Sequence, residues 1–242
     1  MDVEANTATT SMVDILPPKV LATILSYVVK SSPADLFRCK LSCRTLRRIS
    51  EDKGVIQQIH LPCIEARELM PHQEAAEKYF VKCVENEHPE ALLEFGFRQY
   101  FNTMVLDDGL TMLARANELH NSTTAYVLSL IYIYTGEEER GVKLLKKTIN
   151  SIGSVGIVQC RRKLRDMAKY NVMRNHMILH YLPKPKIFCK HKLEHEKNLN
   201  QWELHYDADA ESTVTCMTCK CVREICVFYE ILIGQLTGPV YI

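Results

Sequence analysis

The sequence predicts an all-α protein: a short helical module, then a longer helical array, then a small Cys/His-rich tail. Three observations carry that expectation. Apolar residues recur at helical spacing through most of residues 13–170. Helix-breaking and capping residues fall between those stretches: His88-Pro89, Asp107-Asp108, Asn121-Ser122, Gly136 and Gly153-Ser154. Half of the ten cysteines crowd the last quarter of the chain, as Cys189, Cys216, Cys219, Cys221 and Cys226.

A chain of 242 residues can hold one large domain or two to three small ones. Its 47% hydrophobic and 24% charged residues are those of a globular protein that packs a core in water. A net charge of +1 creates no global field favouring nucleic acid or an anionic membrane. The longest mainly apolar run, Ala125–Tyr134, is far shorter than the roughly 20 residues of a membrane span. Residues 1–12 carry Asp2 and Glu4 without an apolar stretch, which reads as a short disordered tail and not as a secretory signal. Ten cysteines without such a signal point to a reducing compartment, the cytoplasm or nucleus, where they serve as thiols or metal ligands.

Residues 13–60 make the first unit. Leu16-Pro17 opens a helix, because a proline near the first helical position gives up an N–H that has no partner there. Val20, Leu21, Ile24, Leu25 and Val28 then form one broad apolar face. Ser32-Pro33-Ala34-Asp35 is a capping box that starts a second helix, with Leu36, Phe37 and Leu41 on its apolar side. Cys43, Leu46 and Ile49 extend the pattern into a third, with Arg44, Arg47 and Arg48 outside. Three helices this short bury too little surface to stand alone, so the rest of the chain or a partner protein must cover them.

Leu16-Pro17, the Val20/Leu21/Ile24/Leu25 helix, Asp35-Leu36 and the segment Cys43-Arg44-x-Leu46-Arg47 resemble an F-box. That module docks substrate receptors onto the Skp-type adaptor of Skp–Cullin–F-box ubiquitin ligases. The sequence departs from the F-box pattern at Lys19, where an acid is usual, at Ser42, where valine is common, and at Leu46, where an aromatic residue is common. The link from Val29 to Ala34 is longer than usual. The resemblance implies adaptor contacts at Leu16, Pro17, Val20, Leu21, Ile24, Leu25, Leu36 and Leu41.

After a connector with Pro62 and Pro71, helical patterning holds from residue 72 to about 170. It contains a weak repeat. Ala91, Leu93, Phe97 and Tyr100 fall 34 residues before Ala125, Val127, Ile131 and Tyr134. Ala75 falls 34 residues before Gly109, and Gly109 falls 32 before Gly141. Small residues at one point of successive helices let partner helices approach closely while aromatics fill the groove. Two helices per unit at this period resemble tetratricopeptide (TPR) or Sel1 repeats, most clearly at Ala125–Leu145. Such arrays stack into one core and leave a concave face for a protein or peptide. Glu137-Glu138-Glu139 read as a solvated helix start, and Arg161-Arg162-Lys163 with Arg165 as a solvated basic face.

Leu182-Pro183-Lys184-Pro185-Lys186 reads as a linker to the tail, residues 187–242. There Cys216 and Cys219 form a C-x2-C knuckle, a spacing that aims two thiolates at one metal. Cys189 with His195 (or His191) supplies a second pair, completing a candidate structural zinc site of Cys189, His195, Cys216 and Cys219. Cys221 is a spare ligand, and Cys226 sits in an apolar run as a core residue. A β-hairpin would suit such a knuckle. His191, Glu194 and His195 also match the H-x-x-E-H pattern of metallopeptidases, which keeps a zinc-dependent hydrolase as an outlying alternative.

Taken whole, the chain resembles a group of plant F-box proteins with Sel1-like or TPR-like repeats and a Cys-rich tail. The resemblance implies a non-catalytic substrate receptor that binds a Skp-type adaptor, and through it a cullin, while the repeats hold a protein target. A helical-repeat scaffold unconnected with ubiquitination is the alternative.

Overall fold

The computed structural model describes residues 12–61, 73–102, 106–171 and 216–237, and all regular structure among them is helical. The first unit contains α1 (Met12–Ile15), α2 (Pro18–Ser31), α3 (Pro33–Ser42), α4 (Arg44–Ile49) and α5 (Lys53–Ile56). Pro17 is the N-cap of α2, with Pro18 inside its first turn. Ser32 caps α3 by accepting the Asp35 N–H at 3.3 Å. The Asp35 carboxylate turns instead to Arg38 on the next turn. The link between α2 and α3 is a single residue, Ser32, because α2 continues to Ser31.

Leu21, Leu25 and Val29 of α2 pack with Leu36, Ile49, Val55 and Ile56 in one core. Phe80 and Cys83 of α6 (Gln73–Glu85) and Ala91 of α7 (Pro89–Asn102) close that core from the other side. Part of the cover that three short helices require therefore comes from the chain itself. A polar belt reinforces the joint. Gln57 Nε2 donates to the carbonyls of Asn86 and Glu87 at 3.2 and 3.1 Å. His88 is buried, and its Nδ1 accepts the N–H groups of Glu90 and Ala91 at the start of α7. Its Nε2–H is then left to donate to the Ile59 carbonyl at 2.7 Å. Glu87 bridges Lys53 of α5 and Arg115 of α8 (Leu106–Glu118). Its hydrogen bonds to Arg115 and then Lys53 hold its carboxyl down to about 2.

The array continues with α9 (Ser122–Tyr134) and α10 (Glu138–Asn171). Gly153, at φ 65, breaks α10 into 138–152 and 154–171, a left-handed conformation that disfavours any side chain. Pairing follows the predicted small residues. A Cβ on Gly109 would stand 2.7 Å from the Tyr100 nitrogen and 2.9 Å from the Gly96 oxygen, so α7 and α8 touch backbone to backbone. A Cβ on Gly141 would stand 2.6 Å from the Ser129 oxygen, and α9 and α10 meet the same way. Ala75, placed in the same series by its spacing, is exposed and makes no such crossing. Leu93, Phe97 and Tyr100 and their counterparts Val127, Ile131 and Tyr134 are all buried. Helix α9 is buried without interruption from Tyr126 to Tyr134, since α8, α10 and α11 (Met217–Thr237) pack around it.

The described part of the tail, where a hairpin was expected, is helix α11. Its Cys221, Ile225, Phe228, Ile231 and Leu232 join the core of the array. Among the described residues no helix is long and apolar enough to cross a membrane.

Candidate functional site

The first unit turns a second apolar surface outward. On α2, Val20, Ile24 and Tyr27 recur at helical spacing and are exposed, Tyr27 by 68%. Ile15 before them is 67% exposed, and Pro17 is also open to solvent. On α3, which packs against α2, Phe37 and Leu41 lie one turn apart and are exposed, Leu41 by 78%. Exposed apolar side chains thus lie on two adjoining helices, and the Phe37 ring also stands 5.8 Å from that of Tyr79 on α6. The outward Arg44, Arg47 and Arg48 of α4 add positive charge to the same unit.

The eight positions read from sequence as partner contacts divide into two groups. Pro17, Val20, Ile24 and Leu41 are exposed, and Leu16 is half-buried. Leu21, Leu25 and Leu36 lie inside the unit's own core, where they hold α2 against α3 and α5. Ile15 and Tyr27 complete the outer surface without having been nominated. The signal for Tyr27 was its spacing of three from Ile24 and seven from Val20.

The second surface lies on the array, and α11 occupies it. Arg161, expected on a solvated basic face, is buried with only Arg162 beside it exposed. Its Nε donates to Glu224 Oε2 of α11 at 2.8 Å, and its Nη2 donates to Oε1. The Tyr126 hydroxyl donates to the same carboxylate at 3.0 Å. Burial, then the charge of Glu224, push the Tyr126 hydroxyl well above its ordinary value, which keeps it a donor. The Tyr134 hydroxyl donates to the Ile225 carbonyl at 3.0 Å. The Phe228 ring lies 5.4 Å from that of Tyr134 and 6.5 Å from that of Phe101. In the sequence Glu224 is an acid inside an apolar run, as Glu230 is, so nothing local singled it out.

Cys216 and Cys219 stand one turn apart at the start of α11, Cys219 buried and Cys216 half-buried. These two are the part of the expected zinc site that the described residues contain. Cys189, His191, Glu194 and His195 lie outside the described residues. Burial pushes the thiols of Cys221 and Cys226 up to about 11. Among the described residues no three His, Cys, Asp or Glu side chains converge on one point.

Comparison with known proteins places these surfaces in context. The F-box-like family model matches residues 13–61, and the model of plant tetratrico peptide repeats matches residues 64–169. An Arabidopsis thaliana protein named for its F-box is 30% identical over 167 residues, which cover 67% of this chain and 55% of that relative. The chain thus spans about half the length of that protein. A second Arabidopsis thaliana F-box protein is 24% identical over 141 residues, 57% of this chain and 83% of that relative. No solved structure matches. The chain carries an F-box-like domain joined to plant tetratricopeptide repeats, and it is homologous to F-box proteins of Arabidopsis thaliana.

Proposed function

We propose that this protein is the substrate-recognition subunit of a Skp–Cullin–F-box ubiquitin ligase, acting in the cytoplasm or nucleus. The observation that carries the reading is the exposed apolar surface of Pro17, Val20, Ile24, Tyr27, Phe37 and Leu41 on an F-box-like domain. That surface would bind a Skp-type adaptor, and the adaptor would bring a cullin. The repeats would hold a protein target. The protein itself would do no bond chemistry. Its contribution would be proximity, raising the concentration of target lysines near the ubiquitin donor. The continuous core and polar belt between the F-box-like domain and α6–α7 support a fixed geometry between adaptor and target. A structural zinc held by Cys189, His195, Cys216 and Cys219 would anchor the tail.

The test is co-purification of the full chain with a Skp-type adaptor, beside an Ile24→Asp/Leu41→Asp variant. Capture by the natural chain and not by the folded variant is expected. Equal failure of both would favour a repeat scaffold free of the ligase, as the departures at Lys19, Ser42 and Leu46 would then explain.

A further inference from the structure

The seat of α11 is chemically specific, and the specificity resides in the array. Arg161 and Tyr126 are buried side chains of α10 and α9, and both donate to one carboxylate of α11. A guanidinium buried without a carboxylate is strongly unfavourable, so this face selects an acid. One turn further along, Phe228 meets the rings of Phe101 and Tyr134. The Tyr134 hydroxyl reads a backbone carbonyl between them, a contact that any helix could make. The fit is incomplete where α10 breaks. There, a cleft of about 200 Å³ lined by Ile149, Gly153 and Ile157 opens beside Lys220, Arg223 and Glu224. In sequence, α11 follows α10 after residues 172–215.

We propose that the face shared by α7, α9 and the second half of α10 is a docking site for an amphipathic helix carrying a carboxylate, and that α11 is its resident occupant. The site takes an acid at the Glu224 position, an aliphatic residue one position on and an aromatic residue four positions on. If the receptor reading holds, a target offers a helix of this kind and binds by replacing α11. The exchange itself does not depend on that reading.

Two measurements on the full chain test this. Native-state hydrogen exchange is expected to show the amides of α11 opening at least tenfold more often than those of α9. Exchange of both helices together would overturn the proposal by making α11 an inseparable part of the core. The second uses a fluorescent peptide of residues 216–237 and the full-length Phe228→Ala variant, whose own α11 is weakened. The peptide should bind the variant at least tenfold more tightly than the natural chain, and a Glu224→Gln peptide should bind at least tenfold more weakly. Equal binding of the two peptides, or no binding to a variant that retains its helical circular dichroism, would overturn it. Should Phe228→Ala fail to fold, the hydrogen exchange decides alone. Adaptor capture by the same chains, measured in parallel, bears on the receptor reading and not on this one.

Discussion

Arg161 and Glu224 are 63 residues apart in sequence and face each other through two hydrogen bonds, both side chains almost fully buried. Removing one partner leaves an uncompensated buried charge. Glu224→Ala is therefore expected to cost about 3–5 kcal/mol in denaturant unfolding. Replacing both partners with apolar residues, as Arg161→Met with Glu224→Leu and Tyr126→Phe, should cost much less, because neither a charge nor the Tyr126 hydroxyl remains to be satisfied. Similar losses for the single and triple variants would mean that the carboxylate contributes packing alone.

On α2, burial separates folding from binding within a single turn. Leu25 is buried and its neighbour Ile24 is exposed. Leu25→Ala should cost about 2–5 kcal/mol of stability through the cavity it leaves. Ile24→Asp should leave the unfolding midpoint nearly unchanged while reducing adaptor capture more than tenfold. A large stability loss from Ile24→Asp would show that its side chain is covered by the chain itself.

Much of this was legible before any coordinates. Helix positions followed from apolar spacing and from breakers such as His88-Pro89, because those signals are local. The close approach of Gly109 to Tyr100 and of Gly141 to Ser129 followed from the 32-residue spacing of the two glycines, because a repeat writes its contacts into its period. Three things were not legible. Which residues of the α2 face turn inward depends on Phe80 and Cys83, which arrive from a later helix. The burial of Arg161 depends on Glu224, and no local pattern couples residues so far apart. The last stretch of the tail is a core helix through the apolar spacing of Cys221, Ile225, Phe228 and Leu232, which the prominence of its cysteines concealed.

Gly109 and Gly141 should resist even the smallest side chain. A methyl group on either would meet backbone atoms at 2.6–2.9 Å, and backbone cannot swing aside as a flexible side chain can. Gly109→Ala and Gly141→Ala are each expected to cost about 1–3 kcal/mol through overpacking, despite the gain in helix propensity. Stabilisation by either variant, read from thermal unfolding, would contradict backbone contact between the paired helices.

Zinc content tests the proposed tail site. The purified chain should carry zinc that Cys216→Ser with Cys219→Ser abolishes, measured by elemental analysis after dialysis against a weak chelator. Removing the metal should also increase hydrogen exchange at the start of α11, since binding energy there is folding energy. Retention of zinc by the double variant would remove both sulfurs from the site.

His88 gives the joint between the F-box-like domain and the repeats a defined pH dependence. Burial lowers its pKa below the ordinary 6.5, although the Ile59 carbonyl opposes the shift. The neutral ring is also the one the geometry requires, since Nδ1 must accept from Glu90 and Ala91. The folded protein thus binds this proton more weakly than the unfolded chain does. Its contribution is complete above about pH 6.5 and is lost as the pH falls toward the folded-state value, at no more than about 1.4 kcal/mol per pH unit. In His88→Asn the side-chain oxygen can still cap α7 but cannot titrate. Its stability should fall less steeply than that of the natural chain between pH 6.5 and 5, when both are followed by denaturant unfolding. Parallel pH profiles for the two proteins would show that the ring takes up its proton without leaving its place between Ile59 and Ala91.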